Sequence, residues 1–586
     1  MESQSKTCQN CKAQFAIEPE DFAFYEKMQV PPPTWCPECR LIRRSLWRNE
    51  HILFRHKDEL TGKQIFSEVP PGDPHKIYEH DYWWSDQWDP LDYGRDYDFN
   101  RPFFTQFNEL FLEVPWYSRN FLELKNSDYC AEASYTKNSY LCFDIDYIED
   151  SAYLVNCGRV KDSFDLLSTF FSELCYESTM VIKSYQTFYS YNCEDCRSVW
   201  LSRDCVGCSD CFGCVNLKSK KYHIFNEPYS KEDYFKALEA LNLGSYASLQ
   251  AQIPKARDFW QKFPVKYLSG LRNLASSGDY LNDTKNAQKS FMISNTENSK
   301  FIQLVFYKCA DSYDYTVWGD GASQMYECLC CGQQVDSLKF CYDCWPSCRN
   351  LEYCISCRSS SNLFGCVGLR NKEYCIFNKQ YSKDEYFALR ARIVEQMKAM
   401  PYVDGQGNAY RYGEFFPSEF SHLAYNQSLA QDLFPLSKDE AEKNGHRWQD
   451  PDRREYETTT TAGALPDHIN DVPDAITKEI IQCATCGRAY RIIEPELIFL
   501  KRMGIPLPRT CVDCRLQKRF SQLNQPRLYK RKCQCAGGAF DRGGEYKNVA
   551  GHFHAGGACP NEFETSYAPD RPEIVYCEQC YQAEVA

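Results

Sequence analysis

From Asn126 to about Cys214, small or apolar residues return among polar ones about every 12 residues. The pattern opens at Ser127, Ser139, Ser151, Ser163, Cys175, Thr187, Ser198 and Asp210. Two residues on stand Tyr129, Leu141, Tyr153, Asp165, Glu177, Tyr189, Trp200 and Phe212. Three on stand Cys130, Cys142, Leu154, Leu166, Ser178, Ser190, Leu201 and Gly213. A short fixed period with such residues in register predicts stacked coils, each burying its inner face only against its neighbours, which is a β-solenoid. A looser version runs through Ser277, Ser290, Ser299, Ser312, Ser323, Ser337, Leu351 and Cys366. Both blocks finish alike, with KKYHIFNEPYSKEDYF from Lys220 and NKEYCIFNKQYSKDEYF from Asn371. The pairs Ser230/Asp233 and Ser382/Glu385 predict capped helices over roughly 230–264 and 382–399, placed to cover the open end of each stack. Residues 401–477, with TTTTAGALPD, read as a linker with short helices.

A different repeat occupies the two ends. Cys8, Cys11, Cys36 and Cys39 recur at an offset of 475 as Cys483, Cys486, Cys511 and Cys514, each set being CxxC, a 24-residue spacer and CxxC. Ile17, Phe24, Met28, Pro31 and Pro33 recur at the same offset as Ile492, Phe499, Met503, Pro506 and Pro508. Two thiolate pairs joined by such a spacer suit one tetrahedral zinc ion, and four cysteines leave no open position for catalysis. Further along, Cys533, Cys535, Cys577 and Cys580 supply material for a second site in the C-terminal copy, where the N-terminal copy has Asp58, Leu60, Glu79 and Tyr82. A 23-residue insertion there adds His552, His554 and Cys559 as further candidate ligands. The expectation is about three zinc ions per chain.

The sequence has 34 cysteines in 586 residues. It shows no apolar run resembling a signal peptide or a membrane span, so reduced thiols in the cytoplasm are expected rather than disulfides. Net charge is −13, yet residues 36–57 carry +4 and the matching 511–532 carry +6. After each second CxxC a helix is expected, with Arg40, Arg43 and Arg44 on one face and Arg515, Lys518 and Arg519 on its counterpart. Two readings compete for these faces: contact with RNA or DNA phosphate, or pairing with the acidic remainder of the chain. Trp47 and Phe520 are candidates either for stacking on single strands or for the core.

Two further clusters are ambiguous. Cys205, Cys208, Cys211 and Cys214 have three-residue spacing, as do several cysteines between Cys328 and Cys357. Packing, a further zinc and an iron–sulfur cluster are all open, with packing favoured because the second block tolerates Leu363 where the first has Cys211. The segment YWWSDQWDPLDYGRDYDFNRPFF places Asp86, Asp89, Asp92, Asp96 and Asp98 among aromatics. A packing layer against the first solenoid, with aspartates in turns, is favoured over a carboxylate site.

The end modules, through CQNCKAQFAI, WCPECRLIRRSLWRNE, CATCGRAYRIIEPEL, CVDCR and FETSYAPDRPEIVYCEQCY, resemble a zinc-ribbon family represented by large cysteine-rich proteins of ultra-small bacteria, and the IFNxxYSK segments fit the same group. The resemblance implies zinc binding and no particular activity. The expected architecture is multidomain and β-rich. It comprises a treble-clef or zinc-ribbon-like module with an aromatic extension (1–120), a solenoid plus helical cap (121–275), a second solenoid plus cap (276–400), the linker (401–477) and a second zinc module (478–586). No Gly-rich phosphate loop, nucleophile elbow or HExxH helix is present. The expected function is therefore non-enzymatic, with the ribbons on nucleic acid and the acidic solenoids as scaffold. The alternatives are a protein-only scaffold and a thiol- or metal-dependent redox protein.

Overall fold

The computed structural model describes residues 2–450, 456–536, 546–554 and 557–585. Two parallel β-solenoids form its centre, a 12-stranded stack from Phe121–Lys125 to Glu227–Pro228 and a 14-stranded stack from Gly270–Leu271 to Lys379–Gln380. In the first, Phe143, Val155, Leu167, Thr179 and Tyr191 pair in succession, a strict 12-residue coil. In the second, Tyr313, Tyr326, Lys339, Glu352, Phe364 and Ile376 pair at 13 and then 12 residues.

The coils are unusually narrow because the backbone turns at every third residue. Glu177, Met180, Lys183, Gln186, Tyr189 and Asn192 all have φ between 48° and 57°, a left-handed conformation that non-glycine residues rarely adopt. Each 12-residue coil thus has four three-residue sides, with every third side chain pointing inward, and the 13-residue coils carry one extra residue. The interior accepts small groups, and serine and cysteine also satisfy the backbone at the corners. Ser163 Oγ accepts the Cys175 amide at 3.0 Å and donates to the Lys161 carbonyl at 2.7 Å. Ser184 does the same with the Cys196 amide (3.1 Å) and the Ile182 carbonyl (2.9 Å). Cysteine thiols donate onward instead, Cys208 to the Leu217 carbonyl at 3.3 Å and Cys328 to the Leu338 carbonyl at 3.4 Å. These corners correct the expected register. Thr187 is followed by Val199 and Cys211, not Ser198 and Asp210, because the period stays at 12. In the second block Met325 and Leu338, not Ser323 and Ser337, face inward.

Each stack ends on the asparagine of its IFN segment. Asn226 Oδ1 accepts the Val215 amide (2.9 Å) and its Nδ2 donates to the Val215 carbonyl (3.0 Å). Asn378 does likewise to Val367, both bonds at 2.8 Å. The side-chain amide stands in for the next coil's peptide, so the Val215 and Val367 backbone groups keep their partners where the stack ends. Capped helices follow at Lys231–Ala240, Tyr246–Trp260 and Lys383–Ala399, as the serine and acid pairs predict.

The aromatic extension is a packing layer, but it lies on the second solenoid. Arg370 donates to the Trp84 carbonyl (2.8 Å), Asn378 to the Pro90 carbonyl (2.9 Å), and Lys379 pairs with Asp96 (2.7 Å). Asp89 and Asp98 accept amides in turns, as expected. Residues 401–450 are not a free linker. Phe415, Phe416, Tyr425 and Leu429 are buried in the largest core, and Glu414 accepts from Arg43 at 2.9 Å. Among the described residues no helix is long and apolar enough to cross a membrane.

Candidate metal centres

The N-terminal centre is built from two local devices. A tight knuckle between strands Gln4–Thr7 and Gln14–Ile17 carries Cys8 and Cys11, with Lys12 at φ 63°. Cys36 caps the helix Pro37–Ser45, and Cys39 sits in its first turn, where the helix N-terminus favours a thiolate. The four ligand sulfurs all lie within 4.8 Å of one another. The Cys11–Cys36 separation of 3.7 Å is close to the edge of about 3.8 Å that a tetrahedron with bonds of about 2.3 Å requires. The second copy repeats the arrangement. Gly487, at φ 72°, takes the place of Lys12, Cys511 caps the helix Val512–Phe520, and Cys486 and Cys511 stand 3.6 Å apart. In both, the amide entering the second CxxC donates to the first cysteine's sulfur at 3.2 Å, Cys36 to Cys8 and Cys511 to Cys483. Neighbouring thiols donating to Cys8 pull its pKa well below the thiol range. Burial opposes ionisation at Cys486, but hydrogen bonds led by Arg488 bring it down to about 6. One thiol per group is thus favoured as the thiolate, while its partners Cys36, Cys39, Cys511 and Cys514 are pushed up.

The C-terminal extension differs from the expected set. Cys533, Cys577 and Cys580 come together with Cys559, while Cys535 groups with His552, His554 and Cys580. The insertion folds back so that the Cys559 amide donates to the Cys535 carbonyl at 2.9 Å, and the Cys559 thiol takes the corner assigned to Cys535. The Cys577 amide donates to Cys533 Sγ at 3.2 Å, the same bond as in the other centres. In the N-terminal copy the corresponding hairpin, Phe54–Lys57 with Gln64–Ser67, survives without thiols. There the Glu79 amide donates to Asp58 Oδ1 at 3.0 Å, and the Thr61 amide and hydroxyl donate to Asp58 Oδ2 at 2.8 and 2.6 Å. A hydrogen-bonded carboxylate has replaced a ligand.

The arginine faces turn inward. Arg40, Arg43, Arg44, Arg515 and Arg519 are each at most 2% exposed, which corrects the phosphate-contact expectation for all five. Arg40 pairs with Asp314 at 2.8 Å and Arg44 with Glu327 at 2.8 Å, both acids on the second solenoid. Arg43 bridges Glu327 (2.8 Å) and Glu414 (2.9 Å). Arg515 reaches Asp165 and Glu496, both at 2.7 Å, and Arg519 reaches Asp165 (3.1 Å) and Glu177 (3.4 Å) on the first solenoid. Only Lys518 of the six is exposed. Burial pushes the Asp165 carboxyl up to about 7, against the pull of the two guanidiniums. Asp165 and Glu177 stand in the solenoid pattern where the coils beside them carry Tyr153, Tyr189 and Leu201. That break in the apolar register was the available signal for where an arginine docks.

Trp47 is core, packed on Phe416 and Phe111, and Phe520 is half-buried beside His51. The solenoid cysteines are buried, and most of them donate to carbonyls, whereas Cys330 accepts from Arg48 at 3.2 Å. Among the described residues, the groups whose ligand atoms all converge within 4.8 Å lie in the end modules. Compared with known proteins, the chain matches no family model and no curated protein sequence.

Proposed function

We propose that this chain is a non-enzymatic scaffold, in which zinc ions fold the end modules and the solenoids present a docking surface to protein partners. Thiolate-rich tetrahedral groups suit zinc over harder ions. The observation that carries the docking role is an outward row on the first solenoid. Tyr135, Tyr147 and Phe171 are 39–56% exposed, and with Arg159 between the last two the four residues follow one per coil along that face. Tyr135 stacks on Tyr147 at 4.7 Å, and the Arg159 guanidinium lies 4.6 Å from the Tyr147 ring and 5.9 Å from that of Phe171. Exposed Tyr, Phe and Arg held in place by stacking are the residue types that dominate protein interfaces. Nucleic-acid contact loses its support, since the arginines that suggested it are spent within the fold.

A photo-crosslinking residue at position 147, in cells that make the chain natively, tests the reading. Discrete protein adducts, reduced by Arg159→Ala and missing from a crosslinker at position 221, are expected. Nucleic-acid adducts, or equal labelling at both positions, would sink it.

A further inference from the structure

We infer that the C-terminal module holds a dinuclear cluster, two zinc ions bridged by the Cys580 thiolate, so that the chain binds four ions rather than three. The inference rests on the proposal that the thiolate groups hold zinc. Two tetrahedra that share one corner need seven donors, and the module brings seven together. Cys533, Cys559 and Cys577 gather on one side of Cys580, and Cys535, His552 and His554 on the other. Within each set of four the ligand atoms lie within 4.8 Å of one another, and Cys580 belongs to both.

The separations are those of tetrahedron edges. Cys559 and Cys577 sulfurs are 3.9 Å apart. Cys535 Sγ lies 3.4 Å from His552 Nδ1 and 3.3 Å from His554 Nε2, and Cys580 Sγ lies 3.5 Å from His554 Nε2. Bonds of about 2.3 Å to sulfur and about 2.0 Å to nitrogen predict edges of about 3.8 Å and about 3.5 Å.

The outer contacts fix both imidazoles for this task. His552 Nε2 meets Glu584 Oε1 at 2.6 Å, with both side chains at most 1% exposed. His554 Nδ1 meets the Gly557 carbonyl at 2.7 Å. In each ring the nitrogen away from the sulfurs has an acceptor and carries the proton, leaving the nitrogen beside them with its lone pair free. Carboxylate or carbonyl support of this kind is the usual second layer of a zinc-bound histidine. Asn548 Nδ2 donates to Cys535 Sγ at 3.1 Å and Asn561 Nδ2 to Cys577 Sγ at 3.3 Å, which helps carry the negative charge of five thiolates on two divalent ions.

A mononuclear site does not account for the second half. Cys535, His552 and His554 form three corners of a tetrahedron, and the sulfur that completes it is Cys580. The N-terminal copy, with Asp58, Leu60, Glu79 and Tyr82 and without the insertion, has none of the seven donors. With all corners filled by protein, the cluster is closed to water and structural.

Full-length protein loaded with cadmium-113 gives the decisive readout, because two ions joined by one sulfur couple to each other through it. Four cadmium resonances are expected, with a cross-peak between two of them. The double variant His552→Ala/His554→Ala should bind three ions by native mass spectrometry and lose the cross-peak. Three resonances in the wild type, or four with no cross-peak, would overturn the bridge. The Cys8 and Cys483 groups share no residue with the cluster. Metal-free protein at those two groups would instead refute the structural-zinc reading itself.

Discussion

Replacing Arg515 with Met tests whether the buried guanidiniums hold the modules onto the solenoids. Arg515 is the shared partner of Asp165 and Glu496, both fully buried. Without it, Asp165 keeps only Arg519 at 3.1 Å and Glu496 only the Tyr153 hydroxyl at 3.4 Å. Removing one member of a buried ion pair costs about 3–5 kcal/mol, because the partner charge stays desolvated. The Asp165 carboxyl, already raised by burial, can escape by taking up a proton, at about 1.4 kcal/mol per pH unit above an unfolded pKa of about 4. That sets a ceiling of about 5 kcal/mol for that carboxyl at pH 7.5 and about 2 kcal/mol at pH 5.5. The folded pKa is raised above the unfolded value, so the folded variant binds extra protons and its stability falls as pH rises from about 4 through that raised value. Hydrogen exchange of the helix Val512–Phe520 reads the opening free energy locally, with exposed Lys518→Met as a control expected within about 0.5 kcal/mol of wild type. A cost for Arg515→Met no larger than the control's, or one that grows toward acid, would refute the reasoning.

Three further outcomes follow from the same geometry. Ser163→Ala strips the acceptor from the Cys175 amide and should destabilise the first solenoid by about 1–3 kcal/mol in denaturant unfolding, whereas Ser163→Cys should cost less. Cys208→Ser, which keeps a small donor in the corner, should be tolerated, while Cys208→Leu should cost about 1–3 kcal/mol by overpacking, and neither should change the metal count. His51 sits 3.4 Å from the buried Asp432. Burial lowers its pKa, but that carboxylate outweighs it and raises His51 to about 9. Its contribution, of order 3 kcal/mol, is full below pH 6.5 and is lost as pH rises through 9. Asp432→Asn should flatten stability measured across that window.

Much of this architecture was readable because its determinants repeat. The CxxC pairs are local, and thiolate geometry leaves little freedom once two pairs are joined by a fixed spacer. The 12-residue period showed the solenoids, but not their four-sided coils. Those depend on left-handed backbone at residues such as Lys183 and Gln186, which nothing in residue preference signals. The same blindness let the register drift by one at Ser198, where a surface serine stood next to the true inward residue, Val199. Cys559 and Cys535 were hard to assign because their grouping is set by how the insertion folds back, a long-range fact. The arginine faces misled for another reason. Helical spacing shows that Arg40, Arg43 and Arg44 share a face, yet says nothing about what covers it. Only the acidic interruptions in the solenoids held that information, Asp314 and Glu327 for these arginines and Asp165 and Glu177 for Arg515 and Arg519.

The covering reveals a crossed duplication. Arg40 and Arg44 meet an acid pair one coil apart, Asp314 and Glu327, and their counterparts Arg515 and Arg519 meet Asp165 and Glu177 in the same relation. The aromatic contacts repeat as well. Phe24 stacks on Tyr313 at 3.9 Å and lies 5.9 Å from Tyr326, while Phe499 lies 5.0 Å from Phe164 and 6.0 Å from Tyr176. The repeating unit is therefore one CxxC module docked on one solenoid. Its members are exchanged along the chain, the first module sitting on the second solenoid and the last module on the first. Neither half of the sequence contains its own docked pair. Arg527 of the last module also pairs with Glu38 of the first at 2.6 Å, which ties the two units together. Contacts spanning hundreds of residues make closure slow. Local metal binding offsets part of that cost by organising each arginine helix before its acidic coil is found. On this view metal ions in the Cys8 and Cys483 groups would serve assembly as much as stability, since the second CxxC of each group opens the helix that carries the long-range ion pairs.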